Sequence, residues 1–140
     1  MSYKKWFDAH ALKHKKIVDK LVGENYTKEQ IVDYFDFDNM LKMENDFCPL
    51  YKESKKCHDM DSLNCYLCAC PNFRFSDDGL DEKDNKRLMS KCDIDNGEEY
   101  IGDEHIHQNC APCSVPHHRD YVLKHFSLNW KDIMINCPVT

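Results

Sequence analysis

Hydrophobic and polar positions divide the chain into stretches of different character. Over residues 3–22, Phe7, Ala11, His14, Val18 and Leu21 fall at alternating steps of four and three, with Lys4, Lys13, Lys16 and Lys20 largely off that stripe. Such spacing is one face of an amphipathic helix, and Gly23 stands where a C-terminal stop belongs. A second helix is predicted from Thr27, an N-cap with Gln30 at the capping-box distance. Ile31, Tyr34 and Phe35 give it an apolar face, and the pattern continues through Met40 and Met43. Together these predict a helical hairpin over 1–46.

Periodicity stops at Cys48. Residues 76–91 are strongly polar and predict an exposed insertion with a short helix over 81–90. Residues 92–107 predict a small hairpin turning at Asn96-Gly97. Apolar periodicity returns as a helix over 119–126 and a further piece capped by Ser127. From that piece Leu128, Trp130, Ile133 and Met134 are expected to pack back on the N-terminal helices. The expected fold is small α+β: a metal-stabilised cysteine-rich knuckle domain at 47–126, with the helical hairpin before it and a C-terminal helix in 127–140.

Composition adds limits. A chain of 140 residues, 41% hydrophobic and 11% aromatic, supports one modest core. The net charge of −6 and the pI of about 5.7 offer no general basic face, so no nucleic-acid partner is expected. Up to Tyr26, six lysines stand against Asp8, Asp19 and Glu24, a balance of +3 that leaves −9 elsewhere. This reads as a solvated helix face. No apolar run approaches the ~20 residues of a membrane span, and the first residues lack a signal-peptide core. A cytoplasmic location is expected, where thiols stay reduced and nine cysteines are better explained as metal thiolates than as disulfides.

The chemistry concentrates in two turns. Asn64-Cys65-Tyr66-Leu67-Cys68-Ala69-Cys70-Pro71 holds one Cys-x-x-Cys, and Cys110-Ala111-Pro112-Cys113 followed by Pro116-His117-His118 holds another. Such turns let two thiolates face one ion. Cys48-Pro49 and Cys57-His58 supply two further sulfurs. Cys48, Cys57, Cys65, Cys68, Cys70, Cys110, Cys113 and His117 make eight donors, the number for two closed tetrahedral zinc sites. The alternative is a [4Fe-4S] cluster on four of the cysteines. Cys92 and Cys137 are read as ordinary thiols outside the set. A thioredoxin-like role for Cys110 and Cys113 expects a βαβ unit that the pattern does not offer.

Other histidines carry weaker signals. His10 and His14 are expected to pack, His58, His105 and His107 are candidate auxiliary ligands, and His118 and Arg119 are expected to donate to thiolates. No phosphate loop or Ser-His-Asp order stands out. A catalytic reading would need an open metal position with Glu104 or a nearby histidine as base, and the chain is read as a non-enzyme.

In order, Phe47-Cys48-Pro49, Cys57-His58, the turn from Asn64 to Pro71 and the segment from Asn109 to Arg119 resemble the cysteine-rich small domain family of short bacterial and archaeal proteins. The likeness covers Cys48 to His117, about half the chain, with a longer gap between Cys48 and Cys57 and a polar insertion at 76–91. It implies a metal-binding, zinc-finger-like domain and no agreed activity. The function expected is a binding or adaptor module on two structural zinc ions, meeting a protein partner through its helical regions. An iron–sulfur electron-transfer protein is the alternative.

Overall fold

The N-terminal apolar stripe forms one long helix, α1 (Tyr3–Gly23). Its first turn is held twice. Ser2 Oγ accepts the Lys5 N–H at 3.1 Å, and the Asp77 carboxylate, from far along the chain, accepts the Tyr3 N–H at 2.7 Å. A carboxylate there meets the positive end of the helix dipole. The computed structural model describes residues 2–139.

Helix α2 (Lys28–Tyr34) starts with the expected capping box of Thr27 and Gln30. It does not continue to Met43. The chain breaks at Phe35 and Asp36, and α3 (Phe37–Met43) begins afresh, capped by the Asp36 side chain. The break has a tertiary cause. Phe35 O accepts the Cys65 N–H at 2.9 Å and the Phe37 N–H donates to Leu63 O at 2.8 Å. An extended segment thus docks where a continuous helix would have consumed those groups.

The polar insertion forms strands rather than the predicted helix. After β1 (Phe73–Phe75) come β2 (Asp81–Lys83) and β3 (Lys86–Leu88), an antiparallel pair turning at Asp84-Asn85. Both turn residues have positive φ, 54° and 63°, the twist that suits a two-residue hairpin. Strands β4 (Ser90–Cys92), β5 (Glu98–Ile101) and β6 (His105–Asn109) follow. One sheet has the order β2-β3-β6-β5, with β3 parallel to β6; the other pairs β1 with β4 antiparallel. The expected small hairpin exists as β5 and β6, but it turns after Ile101. Asn96-Gly97 is instead the bend leading into β5. Gly97 has φ +84°, and a Cβ there would stand 2.7 Å from Asn109 O.

Helix α4 (Arg119–Lys124) is shorter than expected, and α5 (Trp130–Ile133) is capped by Asn129 rather than Ser127. Trp130 and Met134 do pack back. The Trp130 ring lies 4.8 Å from that of Phe7 and 5.0 Å from His10. Leu128 stays exposed. Residues from 1–46, 47–126 and 127–140 share one core that includes Leu21, Phe35, Met40, Leu67, Trp130 and Met134. Each large side chain there contributes about 1.5–3 kcal/mol by leaving water. Among the described residues, no helix is long and apolar enough to cross a membrane.

Candidate metal centre

The loop carrying Cys65, Cys68 and Cys70 is pinned before any metal is considered. Asn64 is its strut. The Asn64 N–H donates to His117 O at 2.9 Å, its side-chain amide donates to Val32 O at 2.7 Å, and its Oδ1 accepts the Tyr66 N–H at 2.9 Å. The Cys-x-x-Cys turns then close on themselves: the Cys68 N–H donates to Cys65 O at 3.3 Å, and the Cys113 N–H to Cys110 O at 2.9 Å. Ala69 and Cys70 both take positive φ, 92° and 70°. A non-glycine residue seldom adopts that backbone without being held by its surroundings.

Cys57, His58 and His117 have ligand atoms all within 4.8 Å of one another. Cys57 Sγ stands 3.7 Å from His117 Nε2. Bonds of about 2.3 Å for sulfur and 2.0–2.1 Å for nitrogen put two ligands of a tetrahedral zinc ~3.6 Å apart. His117 is buried, and its Nδ1–H donates to Asn64 O at 3.0 Å, which leaves the Nε2 lone pair free. A carbonyl fixing the tautomer in this way is the usual companion of a ligating histidine. His58 Nε2–H donates to Cys110 O at 2.9 Å, while its Nδ1 lies 3.0 Å from Cys57 Sγ. His58 therefore ties Cys57 to the Cys110–Cys113 turn.

Cys48, Cys65 and Cys68 gather near Cys57. Burial pushes the Cys65 thiol up to about 12, and the charges of Cys57 and Cys48 add to the rise. Cys68 is raised by burial and then by Cys65, Cys57 and Cys48. Tyr51 points into the same group. Its hydroxyl is buried without a hydrogen-bond partner of ordinary geometry. Burial raises its pKa, followed by the charge of Cys65, with Cys48 and Cys68 further contributors. Burial together with the charge of a neighbouring thiol makes it costly for Cys65 and Cys68 to ionise together without a cation.

Cys70, Cys110 and Cys113 form a second group. With Cys57, His58, Cys68 and His117 they line one cavity of about 630 Å³, whose remaining wall includes Tyr3, Trp6, Phe73 and Cys92. Burial lifts the Cys110 thiol to about 11, with the charges of Cys70, Cys113 and Cys92 adding to it. That is opposite to the lowered pKa of a thioredoxin-type nucleophile. The structure thus brings Cys57 together with His58 and His117 and makes Cys48, Cys65 and Cys68 charge neighbours of Cys57. It sets Cys70, Cys110 and Cys113 as charge neighbours of one another, with Cys57, Cys68 and His117 lining the same cavity as these three.

No known protein family, curated protein or solved structure matches this chain. The donor set must therefore be read from its own chemistry. It fits a thiophilic metal, as reduced thiols, an imidazole with a fixed tautomer and an orphaned phenol converge on one region.

Several expected participants stand elsewhere. His105 is exposed, whereas His107 lines the cavity but has its Nδ1 hydrogen-bonded to the Tyr3 hydroxyl. His118 Nε2 faces Ser114 Oγ at 3.0 Å, and Arg119 pairs with Asp33 at 2.8 Å, so neither donates to a thiolate. Glu104 is exposed and does not line the cavity. Cys137 is buried in the core, with its S–H directed at Cys70 O at 3.5 Å. His10 and His14 are packed as expected: Trp6 stacks on His10 at 4.8 Å, and the His14 Nε2–H donates to Tyr66 O at 3.1 Å. The sequence pattern carries no signal for Tyr51, which belongs to no motif, nor for the bracing role of Asn64, which opens the Asn64–Pro71 motif but acts through contacts with Val32 and His117 far along the chain.

Proposed function

We propose that this chain is a metal-binding protein whose two thiolate-rich centres, each taking a zinc ion, fasten a cysteine-rich knuckle to a helical frame. The observation that carries the reading is the 3.7 Å separation of Cys57 Sγ and His117 Nε2, with His117 Nδ1 committed to Asn64 O. Mixed sulfur and nitrogen donors at that spacing suit zinc. Two of Cys48, Cys65 and Cys68, the thiols whose charges act together with that of Cys57, would supply the remaining two positions of a tetrahedral ion. Zinc would neutralise the thiolates it gathers and draw the Tyr51 hydroxyl to the buried Cys65 sulfur.

The module binds rather than catalyses. A site filled by protein thiolates is closed and weakly electrophilic, and Glu104, the candidate base, lies outside the cavity. Partner contact falls to the helical regions, where Leu12 on α1 and Met43 on α3 are exposed. The test is metal analysis of the purified chain beside His117→Ala. The wild type is expected to hold two zinc per chain, and His117→Ala to lose or greatly weaken one. Unchanged stoichiometry and affinity in the variant would overturn the assignment.

A further inference from the structure

We infer that Cys92 completes a second metal centre with Cys70, Cys110 and Cys113, a four-thiolate site that the Cys-x-x-Cys motifs do not assign. The inference rests on the metal-binding reading above and supplies the ligand set of its second centre. Once Cys48, Cys57, Cys65, Cys68 and His117 fall to the first group, only three motif cysteines remain. Three thiolates leave one tetrahedral position unfilled.

Cys92 is the cysteine that the fold brings to that position. It lines the cavity with the other three, as do Cys57 and Cys68 of the first group, whereas Cys137 does not, and its charge acts on Cys70 and Cys110 together with that of Cys113. The β1–β4 ladder places it there, because Cys92 pairs with Phe73, and the Phe73 N–H donates to Cys70 O at 3.1 Å. One residue further on, the Asp93 N–H donates to Asn72 O at 2.8 Å. Cys70 and Cys92 are thus locked through adjacent backbone bonds. From the other side, the Asn96 side-chain amide donates to Cys113 Sγ at 3.1 Å, and Asn96 O accepts from Gln108 Nε2 at 2.7 Å. Three chain segments, at residues 70, 92–96 and 110–113, converge on one volume.

No three of these sulfurs stand within 4.8 Å of one another. A change of χ1 rotamer sweeps a cysteine sulfur through about 3 Å, enough to gather wide-set sulfurs around a single ion. A [4Fe-4S] cluster, also bound by four thiolates, takes them further apart. Both are thiophilic centres on the same four residues, and the metal found decides between them.

The test uses the full chain purified anaerobically, with zinc, iron and acid-labile sulfide measured per chain. Cys92→Val, a packing substitute, is compared with Cys137→Val and with Cys92→His, which restores a donor. Cys92→Val is expected to lose one metal centre, Cys92→His to recover it at least in part, and Cys137→Val to keep both. Loss of zinc assigns a single ion, and loss of iron with sulfide assigns a cluster. Full metal content and unchanged affinity in Cys92→Val would overturn the inference. Should that variant not fold, cobalt(II) titration of the metal-stripped wild type decides. Two thiolate charge-transfer steps support the second centre, and one step overturns it. A wild-type chain with a single, His117-dependent ion removes this inference and the second centre with it but leaves the first centre of the proposed function standing, whereas a wild-type chain without metal removes the proposed function altogether.

Discussion

Replacing Tyr51 with phenylalanine separates a metal-held fold from an ordinarily packed one, because the two predict opposite signs. The hydroxyl is buried among Cys48, Cys65 and Cys68 and has no hydrogen-bond partner of ordinary geometry. In the metal-free chain burial raises the thiols of Cys65 and Cys68, which stay neutral. A thiol is a weak acceptor. An unsatisfied buried hydroxyl costs about 1–3 kcal/mol, so Tyr51→Phe should leave the metal-free fold unchanged or stabilise it by up to that amount. With metal bound the sulfurs are thiolates, and a hydrogen bond to a charged group contributes about 1.5–3 kcal/mol. The variant should therefore bind zinc about 10- to 100-fold more weakly, at 1.4 kcal/mol per tenfold. Competition against a chromophoric chelator measures the affinity, and urea unfolding with and without zinc measures the two stabilities. Equal destabilisation of both forms, with unchanged zinc affinity, would refute the reasoning.

Acid should unfold the metal-free chain through His10 and His14. Burial depresses their folded pKa values to about 4 and about 3, so the unfolded chain binds protons more tightly. Their contribution is intact above about pH 6.5 and declines as the pH falls toward those values, by about 2 kcal/mol per histidine at pH 5. His14→Gln should flatten this dependence in urea titrations across that range, and an unaltered slope would contradict it. Trp130→Ala should cost about 3–5 kcal/mol in chemical unfolding. It should also weaken zinc binding, because Trp130 Nε1–H donates to Cys68 O at 3.2 Å. Gly97→Ala should lose more than about 1 kcal/mol for its positive φ and its clash with Asn109 O. Gly23→Ala, with nothing within 4 Å of the new Cβ, should gain about 0.5–1 kcal/mol as a helix substitution; thermal melts compare the two.

What the sequence revealed and what it hid follow from the range of the forces involved. The α1 stripe, the Thr27–Gln30 capping box and the two Cys-x-x-Cys turns are set within a few residues, and all appear where the pattern places them. The break at Asp36 was hidden, because its cause is the Leu63–Cys65 segment nearly thirty positions away. At 81–90 polar composition suggested a helix, but Asp84 and Asn85 tolerate positive φ and the backbone pairs with β6 through β3. The donor cysteines were readable as a list, but their division into two groups was not. The two-residue step from Cys68 to Cys70 points Cys70 away from its neighbour, and positive φ at Ala69 and Cys70 goes with that turn, but nothing in the spacing says which of the other donors come together. Cys92 lacked any motif and gains its place only through the β1–β4 register.

The central claim is that metal on these thiolates holds the knuckle to the helical frame. Its most direct test is metal and acid-labile sulfide analysis of the anaerobically purified chain, followed by hydrogen exchange before and after chelation. The account predicts two metal centres per chain. It also predicts that removing the metal abolishes protection at Asn64, Cys65, Cys68 and Cys113 while the middle of α1 keeps part of its own, since binding energy here is folding energy. A chain that purifies without metal, with those amides fully protected, would contradict it.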